Sequence, residues 1–405
     1  MISKSPETGE QHALRDDAAR GNADAQNRLG MLYSTGKSMP QDWPQDWPQA
    51  THWFRQAAEQ GHASAQFNLG VVYGNGQGQG LRQDLQMALQ WYRKAAHQGH
   101  AKAQFNLGLL HGNGQGVPQD HAQARAWYTD AAEQGHAGAQ NNLGLLFVNG
   151  HGVQRDYQQA MAWFRKAAEQ GDAAAQNNLG MVCANASEPT RDLEKAVFWY
   201  RKSADQGYAN AQFNLALLFE QGLGVPEDAQ QALFWYGAAA AQKHARAQFN
   251  LARMIDAGRG TPVDAPEALS WFRQSAELGH ARAQFMLGTR YDSGQGVIQD
   301  QQKALAWYRR AAEQGHARAQ FNLGLMYLVG HGASLDLVQA HKWIALAEAS
   351  SAAGASDKAA SRQADGRGEQ LGDKPQRHRL IAEAKMDGEQ LAHAERLARE
   401  WQPRR

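Results

Sequence analysis

Ala101-Lys-Ala-Gln-Phe-Asn-Leu-Gly-Leu-Leu-His-Gly-Asn-Gly-Gln-Gly-Val-Pro-Gln-Asp-His-Ala-Gln-Ala-Arg-Ala-Trp-Tyr-Thr-Asp-Ala-Ala-Glu-Gln-Gly-His136 is one copy of a unit that recurs along most of the chain. Eight tryptophans (Trp91, Trp127, Trp163, Trp199, Trp235, Trp271, Trp307 and Trp343) stand 36 residues apart, and Trp53 joins the column at an offset of 38. Copies begin at Ala23, Ala63, Ala101, Ala137, Ala173, Ala209, Ala245, Ala281 and Ala317, nine in all. A fixed period of this size is the signature of a stacked repeat, because one such unit cannot bury its apolar face alone. The first copy is longer because Gln41-Asp-Trp-Pro44 is repeated as Gln45-Asp-Trp-Pro48, and the second carries an extra Gln-Gly in its glycine loop. Both insertions fall where a loop tolerates them.

Each unit reads as two helices. In the first, positions 3, 7, 8 and 11 (Ala103, Leu107, Gly108 and His111 in the copy above) share one face at spacings of three and four. Gly114 and Gly116 end it, and an aspartate column, Asp46, Asp84, Asp120, Asp156, Asp192, Asp228, Asp264, Asp300 and Asp336, opens the second. Ala124, Trp127 and Ala131 continue that second helix and Gly135 stops it. Small residues let the axes approach while the indole fills the gap, so truncating a buried tryptophan is expected to cost roughly 3–5 kcal/mol.

The string Ala-x-Ala-Gln-Phe-Asn-Leu-Gly, the Gly-x-Gly-Val loop, the capping aspartate and Ala-x-x-Trp-Tyr-x-x-Ala-Ala-x-x-Gly resemble the Sel1-like repeat, a relative of the tetratricopeptide repeat. The resemblance implies an all-α, right-handed α/α superhelical solenoid that serves protein–protein interaction as a scaffold or adaptor. It divides the chain into an N-terminal capping half-repeat (1–22), nine repeats (23–350), a flexible linker (351–376) and a C-terminal helical cap (377–405). Met386 to Trp401 resembles the terminal helix of bacterial members, which implies a bacterial source.

Formal charge is balanced, with 41 basic and 40 acidic side chains, which gives no general pull toward nucleic acid or anionic lipid. Cys183 is the single cysteine and occupies an aromatic column, so it reads as a small core residue and no intrachain disulfide is expected. The N-terminal stretch lacks an apolar signal segment and no run is long enough to span a bilayer, so a cytoplasmic location is expected, with export left open.

Motifs for chemistry are weak. Gly36-Lys37-Ser38 has five residues between Gly30 and Gly36 where a phosphate loop needs four, and it follows a helix. Ser34-Thr-Gly-Lys37 fits the Ser-x-x-Lys of β-lactamases but lacks both companion motifs. His62, His100, His136, His244, His280 and His316 share the turn between repeats and cannot converge on one metal at zinc–nitrogen distances of ~2.1 Å. No catalytic residue, metal site or cofactor is expected.

In the related tetratricopeptide fold the exposed side of the first helix lines a concave groove. By that analogy positions 2, 5, 6 and 9 carry the candidate peptide-binding residues. Position 6 supplies Asn106, Asn142, Asn178, Asn214, Asn250 and Asn322, and position 2 supplies Lys102, Arg246, Arg282 and Arg318. Arg253 stands at position 9, and Phe213, Phe249, Phe285 and Phe321 at position 5. Arg246 with Asn250, and Arg318 with Asn322, resemble the carboxylate clamp of peptide-binding tetratricopeptide domains. Two readings stay open: asparagines that grip a peptide backbone or that orient the stack, and a basic aromatic groove or a solvated edge with phenylalanines wedged between repeats. The expected function is a non-enzymatic scaffold that binds an extended acidic or C-terminal segment of another protein along repeats five to nine. The alternatives are a β-lactamase-like or cell-wall hydrolase, as proposed for some relatives, and an exported factor that binds host proteins.

Overall fold

The computed structural model describes residues 9–36, 45–76, 82–185, 192–356 and 374–403. Twenty-one helices and no strands occur among the described residues. By its internal contacts the chain divides into two units, Met1–Ser203 and Ala204–Arg405.

The first unit opens with α1 (Gly9–Ala19). It continues as α2 (Ala23–Thr35), α3 (Trp47–Glu59), α4 (Ala63–Asn75), α5 (Leu85–His97), α6 (Ala101–Asn113), α7 (His121–Glu133), α8 (Ala137–Asn149), α9 (Tyr157–Glu169) and α10 (Ala173–Asn185), with α11 (Leu193–Asp205) at the boundary. The second unit holds α12 (Ala209–Gln221), α13 (Ala229–Ala241), α14 (Ala245–Asp256), α15 (Ala265–Glu277), α16 (Ala281–Ser293), α17 (Gln301–Glu313), α18 (Ala317–Val329), α19 (Leu337–Ser356), α20 (Lys374–Glu383) and α21 (Gly388–Arg399). Within each unit the repeat helices pack on the helices before and after them in sequence, which is the α-solenoid arrangement.

The capping aspartates work as the sequence indicates: Asp120 Oδ1, for example, accepts from the backbone N–H of Ala122 and Gln123. The glycine loops end the first helices in the left-handed conformation. At Gly152 (φ +66°) a Cβ would also lie 2.6 Å from the backbone of His121, so the loop packs directly on the start of the preceding repeat's second helix. Lys243 takes the same left-handed region (φ 61°) after a second helix, where seven other repeats have glycine.

The tryptophans are not the deepest part of the core. Trp127, Trp163, Trp199, Trp271 and Trp307 are only half-buried, and Lys94 and Lys166 lie over Trp91 and Trp163 at 4.0 and 4.1 Å from the ring centres. The next residue is the buried one: Tyr128, Phe164, Tyr236, Phe272 and Tyr308 are almost fully enclosed. Each ring in the glycine-bearing repeats lies flat on position 8 of its own first helix. A Cβ at Gly108 would meet the Tyr128 ring at 2.4 Å, and one at Gly144 the Phe164 ring at 2.6 Å. Glycine in mid-helix costs about 1 kcal/mol relative to alanine, and the ring packed against bare backbone offsets it.

A glutamine column at position 4 joins successive repeats. Gln104 Nε2 donates to Ala96 O across the turn (3.3 Å), while its Oε1 accepts from Gln134 Nε2 (2.6 Å) of the following second helix. Gln66 and Gln98, Gln140 and Gln170, Gln212 and Gln242, and Gln284 and Gln314 repeat the pairing at 2.7–2.8 Å. Ser350 takes the donor's place for Gln320. Leu278 stands where Gln248 needs its donor, and Gln248 Oε1 is buried without a partner.

Ordered helix occupies both ends of the segment expected as a linker, since α19 runs to Ser356 and α20 starts at Lys374; residues 357–373 lie outside the described residues. Both terminal helices pack on α19. His341 Nε2 meets Glu383 Oε1 at 2.9 Å, Arg379 Nε donates to Glu348 Oε2 at 3.0 Å, and the Trp343 and Trp401 rings meet edge to face. Cys183 is buried and its thiol pKa is raised by burial, as a core role requires.

Candidate functional site

The recurring histidines cap the first helices. The ring Nδ1 of His62, His100, His136, His244, His280 and His316 accepts from the backbone N–H three residues on, at 3.1–3.3 Å. The ring also receives the position-5 phenylalanine of the repeat it ends: Phe105 stacks on His136, Phe213 on His244 and Phe285 on His316 at 4.6–4.8 Å, and Phe249 packs tilted on His280 at 4.8 Å. Position 5 was expected to face away from the packed stripe. Instead Phe213 and Phe321 are buried, and Phe249 and Phe285 half-buried, because the next element along offers them an aromatic partner.

The asparagines of position 6 engage the preceding repeat's core aromatic. Asn250 is buried and donates to the Tyr236 hydroxyl at 3.0 Å. Burial raises the pKa of the Tyr92, Tyr128 and Tyr308 hydroxyls, and Asn106, Asn142 and Asn322 stand close enough to offset part of that rise. Asn178 donates to Asn141 at 2.8 Å, and Asn214 is half-buried. The bonds of Asn250 and Asn178 therefore run between repeats, not within one.

The basic residues of position 2 lie on the first turn, beside the histidine caps. Lys102 and Arg246 are exposed, Arg282 and Arg318 half-buried. The Arg246 guanidinium lies over the Phe213 ring at 4.6 Å. Charge and burial together act on the histidines. Burial, then Arg282 and Arg246, lower the His280 pKa to about 4; burial, then Arg282 and Arg318, lower that of His316 to about 4.

Arg253 has a different setting. It pairs with Glu220, a buried carboxylate that also accepts from the Tyr236 hydroxyl (2.7 Å) and Arg259 (3.0 Å). Arg290 is buried too, paired with Asp256 at 2.6 Å and packed over Phe272. This acid–arginine seam was missed by the sequence reading. Its signal was an arginine at position 10, Arg290, in a column otherwise filled by leucine, valine or methionine, as at Leu110, Val182 and Met254. Ser34 donates its hydroxyl to Met31 O, while Lys37 and Ser38 of the two chance motifs lie outside the described residues.

The Sel1 repeat profile matches residues 23–62, 63–100, 101–136, 137–172, 173–208, 209–244, 245–280, 281–316 and 317–349. The chain belongs to the Sel1 repeat family. Among solved structures it is similar to a protective antigen of uropathogenic Escherichia coli strains that displays the SLR fold, with 31% identity, 98% of this chain and 94% of that one covered, and a TM-score of 0.62. It is also similar to a Sel1 repeat protein from Oxalobacter formigenes, with 30% identity, 89% and 97% covered, and a TM-score of 0.56. No curated protein matches the chain. Sel1 repeat proteins are generally protein-interaction scaffolds, and their solenoid is typically non-enzymatic. Among the described residues no helix is long and apolar enough to cross a membrane, and no cluster of three or more His, Cys, Asp or Glu could hold a metal ion.

Proposed function

We propose that this Sel1 repeat protein is a non-enzymatic scaffold whose second unit binds an extended acidic or C-terminal segment of another protein. The supporting observation is the succession of Arg246, Arg282 and Arg318 at one helical position in consecutive repeats, on the first turns of α14, α16 and α18. Arginine forks suit carboxylates, and Arg246 already packs over the Phe213 ring, which lowers the entropy lost on binding. Asn250, Phe213 and Phe321 are buried, and Arg253 is occupied with Glu220. Lys102 is the corresponding cation of the first unit.

The test is affinity capture from a lysate of the source organism with the parent and the Arg246→Glu/Arg282→Glu/Arg318→Glu variant, alongside a melting curve. Loss of specific partners at an unchanged Tm supports the reading; an unchanged partner profile overturns it.

A further inference from the structure

In the second unit two arginines of repeat seven converge on one atom. Glu220, buried at position 12 of α12, accepts at Oε1 from Arg259 Nη1 at 3.0 Å, and Arg253 Nη2 donates to the same oxygen. Two nitrogens bonded to one oxygen stand within about 6 Å of each other, a span that a single carboxylate can bridge. The other oxygen, Oε2, accepts from the Tyr236 hydroxyl at 2.7 Å, so the buried carboxylate is fixed on both sides. Both arginines are seated on ordered backbone. Arg253 stands at position 9 of α14, in a column that carries leucine at Leu109, Leu145 and Leu217. Arg259 lies between Gly258 (φ +65°) and Gly260 (φ +76°), and a Cβ at Gly260 would meet the Ala229 backbone at 2.8 Å, so its loop rests on the start of α13.

The bonds to Glu220 leave donors over. A guanidinium has five N–H groups. Among the described residues Arg253 bonds only Glu220, and Arg259 adds one bond, to Glu227 Oε1 at 3.2 Å. The side chains of Arg253 and Arg259 are 45% and 39% exposed, and that of Glu227 is 63% exposed. Buried Glu220 balances one of the two cations. The other is balanced by an exposed pair, which contributes little in water.

Resting on the scaffold reading above, we propose that Arg253 and Arg259, pinned by Glu220, form a receptor for one carboxylate of the partner segment, and that Glu227 fills it in the free chain. The incoming carboxylate displaces Glu227 and accepts from Arg259 Nη2 and from the unused donors of Arg253. Because Glu220 orders both guanidiniums beforehand, little rotamer freedom remains to be lost on binding. An acidic side chain and a chain-terminal carboxylate offer the same group, and the probes separate them.

The full-length protein is titrated into three fluorescein-labelled peptides, hexaglutamate amide, hexaglutamine with a free C-terminus and hexaglutamine amide, and anisotropy is read. The parent binds at least one of the first two and not the third; the first assigns side-chain carboxylates and the second the terminal one. Arg259→Gln, which leaves Glu220 paired with Arg253, weakens that binding about tenfold. Glu227→Gln, which empties the receptor, strengthens it about threefold, while Glu277→Gln, at an exposed glutamate bonded to neither arginine, leaves it unchanged. Equal binding by the parent and Arg259→Gln, or equal gains from Glu227→Gln and Glu277→Gln, overturns the receptor. If the receptor variants change nothing while the triple charge reversal of Arg246, Arg282 and Arg318 abolishes partner capture, the receptor falls and the scaffold reading stands. If capture survives the triple reversal and neither acidic probe binds the parent, both fall.

Discussion

Repeats three and four of the first unit and repeats six to eight of the second use one backbone design for different interiors. In the former, positions 10 and 12 carry Leu110, Leu146, Gly112 and Val148, and the hairpins close on apolar and small groups. In the latter, Glu220, Asp256 and Asp292 occupy position 12, and Arg253, Arg259 and Arg290 answer the first two. The helices and capping aspartates are common to them, and the glutamine pair closes in each but repeat seven, where Leu278 leaves Gln248 Oε1 without its donor. What they share is therefore the helical hairpin, the capping aspartate and the buried ring that follows each tryptophan. The remaining columns are free to vary, and the second unit has filled them with charge.

The largest effect should come from the ring beside each tryptophan. Tyr236→Ala removes a buried ring and one of the donors to Glu220, and should cost about 5 kcal/mol. Phe164→Ala in the first unit, with no carboxylate beneath it, should cost about 3–4 kcal/mol. Trp163→Ala, half-buried, should cost about 1–2 kcal/mol in denaturant titrations. A tryptophan variant more damaging than its neighbour would break the account of the core.

Asp256→Ala strands the buried Arg290 guanidinium and should cost about 3 kcal/mol, whereas Val148→Ala at the same position of repeat four should cost about 1 kcal/mol. Combining Asp256→Ala with Arg290→Leu, the residue type of repeats three and four, should return stability to near the parent value. A double variant as unstable as Asp256→Ala would mean the seam is needed for the fold itself.

Acid should separate the two units. His280 and His316 have folded pKa values of about 4, below the ordinary histidine value of roughly 6.5, so the unfolded chain binds protons first as pH falls. Their contribution is complete above that ordinary value, is lost between it and about pH 4, and falls no further below. His280→Asn keeps a capping acceptor without the titration, and should recover on the order of 1 kcal/mol of the stability lost between neutral pH and pH 4, after allowance for solvent at the ring. Thermal melts across that range read the difference.

The smallest change repairs an exception. Leu278→Gln supplies the donor that Gln248 Oε1 lacks and should add about 1 kcal/mol, where the same exchange at an exposed helix end elsewhere should add nothing.

Much of this was legible because each column is sampled nine times in one chain. Repeat starts, aspartate caps and loop glycines follow from the period and from local backbone chemistry. The burial of Phe213 and Phe321, the Tyr236–Asn250 bond and the glutamine pairs were not legible, because each joins residues well apart in sequence and on different helices. A helical wheel of one helix assigns an outward direction without knowing what the next repeat brings there. The unvarying Gln26-to-Gln320 column, polar and identical in all nine copies, was the available signal. The basic row was found from its charge. The histidines beside it were visible as a column, but their place as helix caps required the cap geometry.

Hydrogen–deuterium exchange of the full chain with saturating hexaglutamate tests the central claim most directly. The account predicts added protection in the first turns of α14 and α16, around His244–Asn250 and His280–Met286, and none at the equivalent turns of α6 and α8. Protection spread evenly over all the repeats, or confined to the first unit, would contradict it.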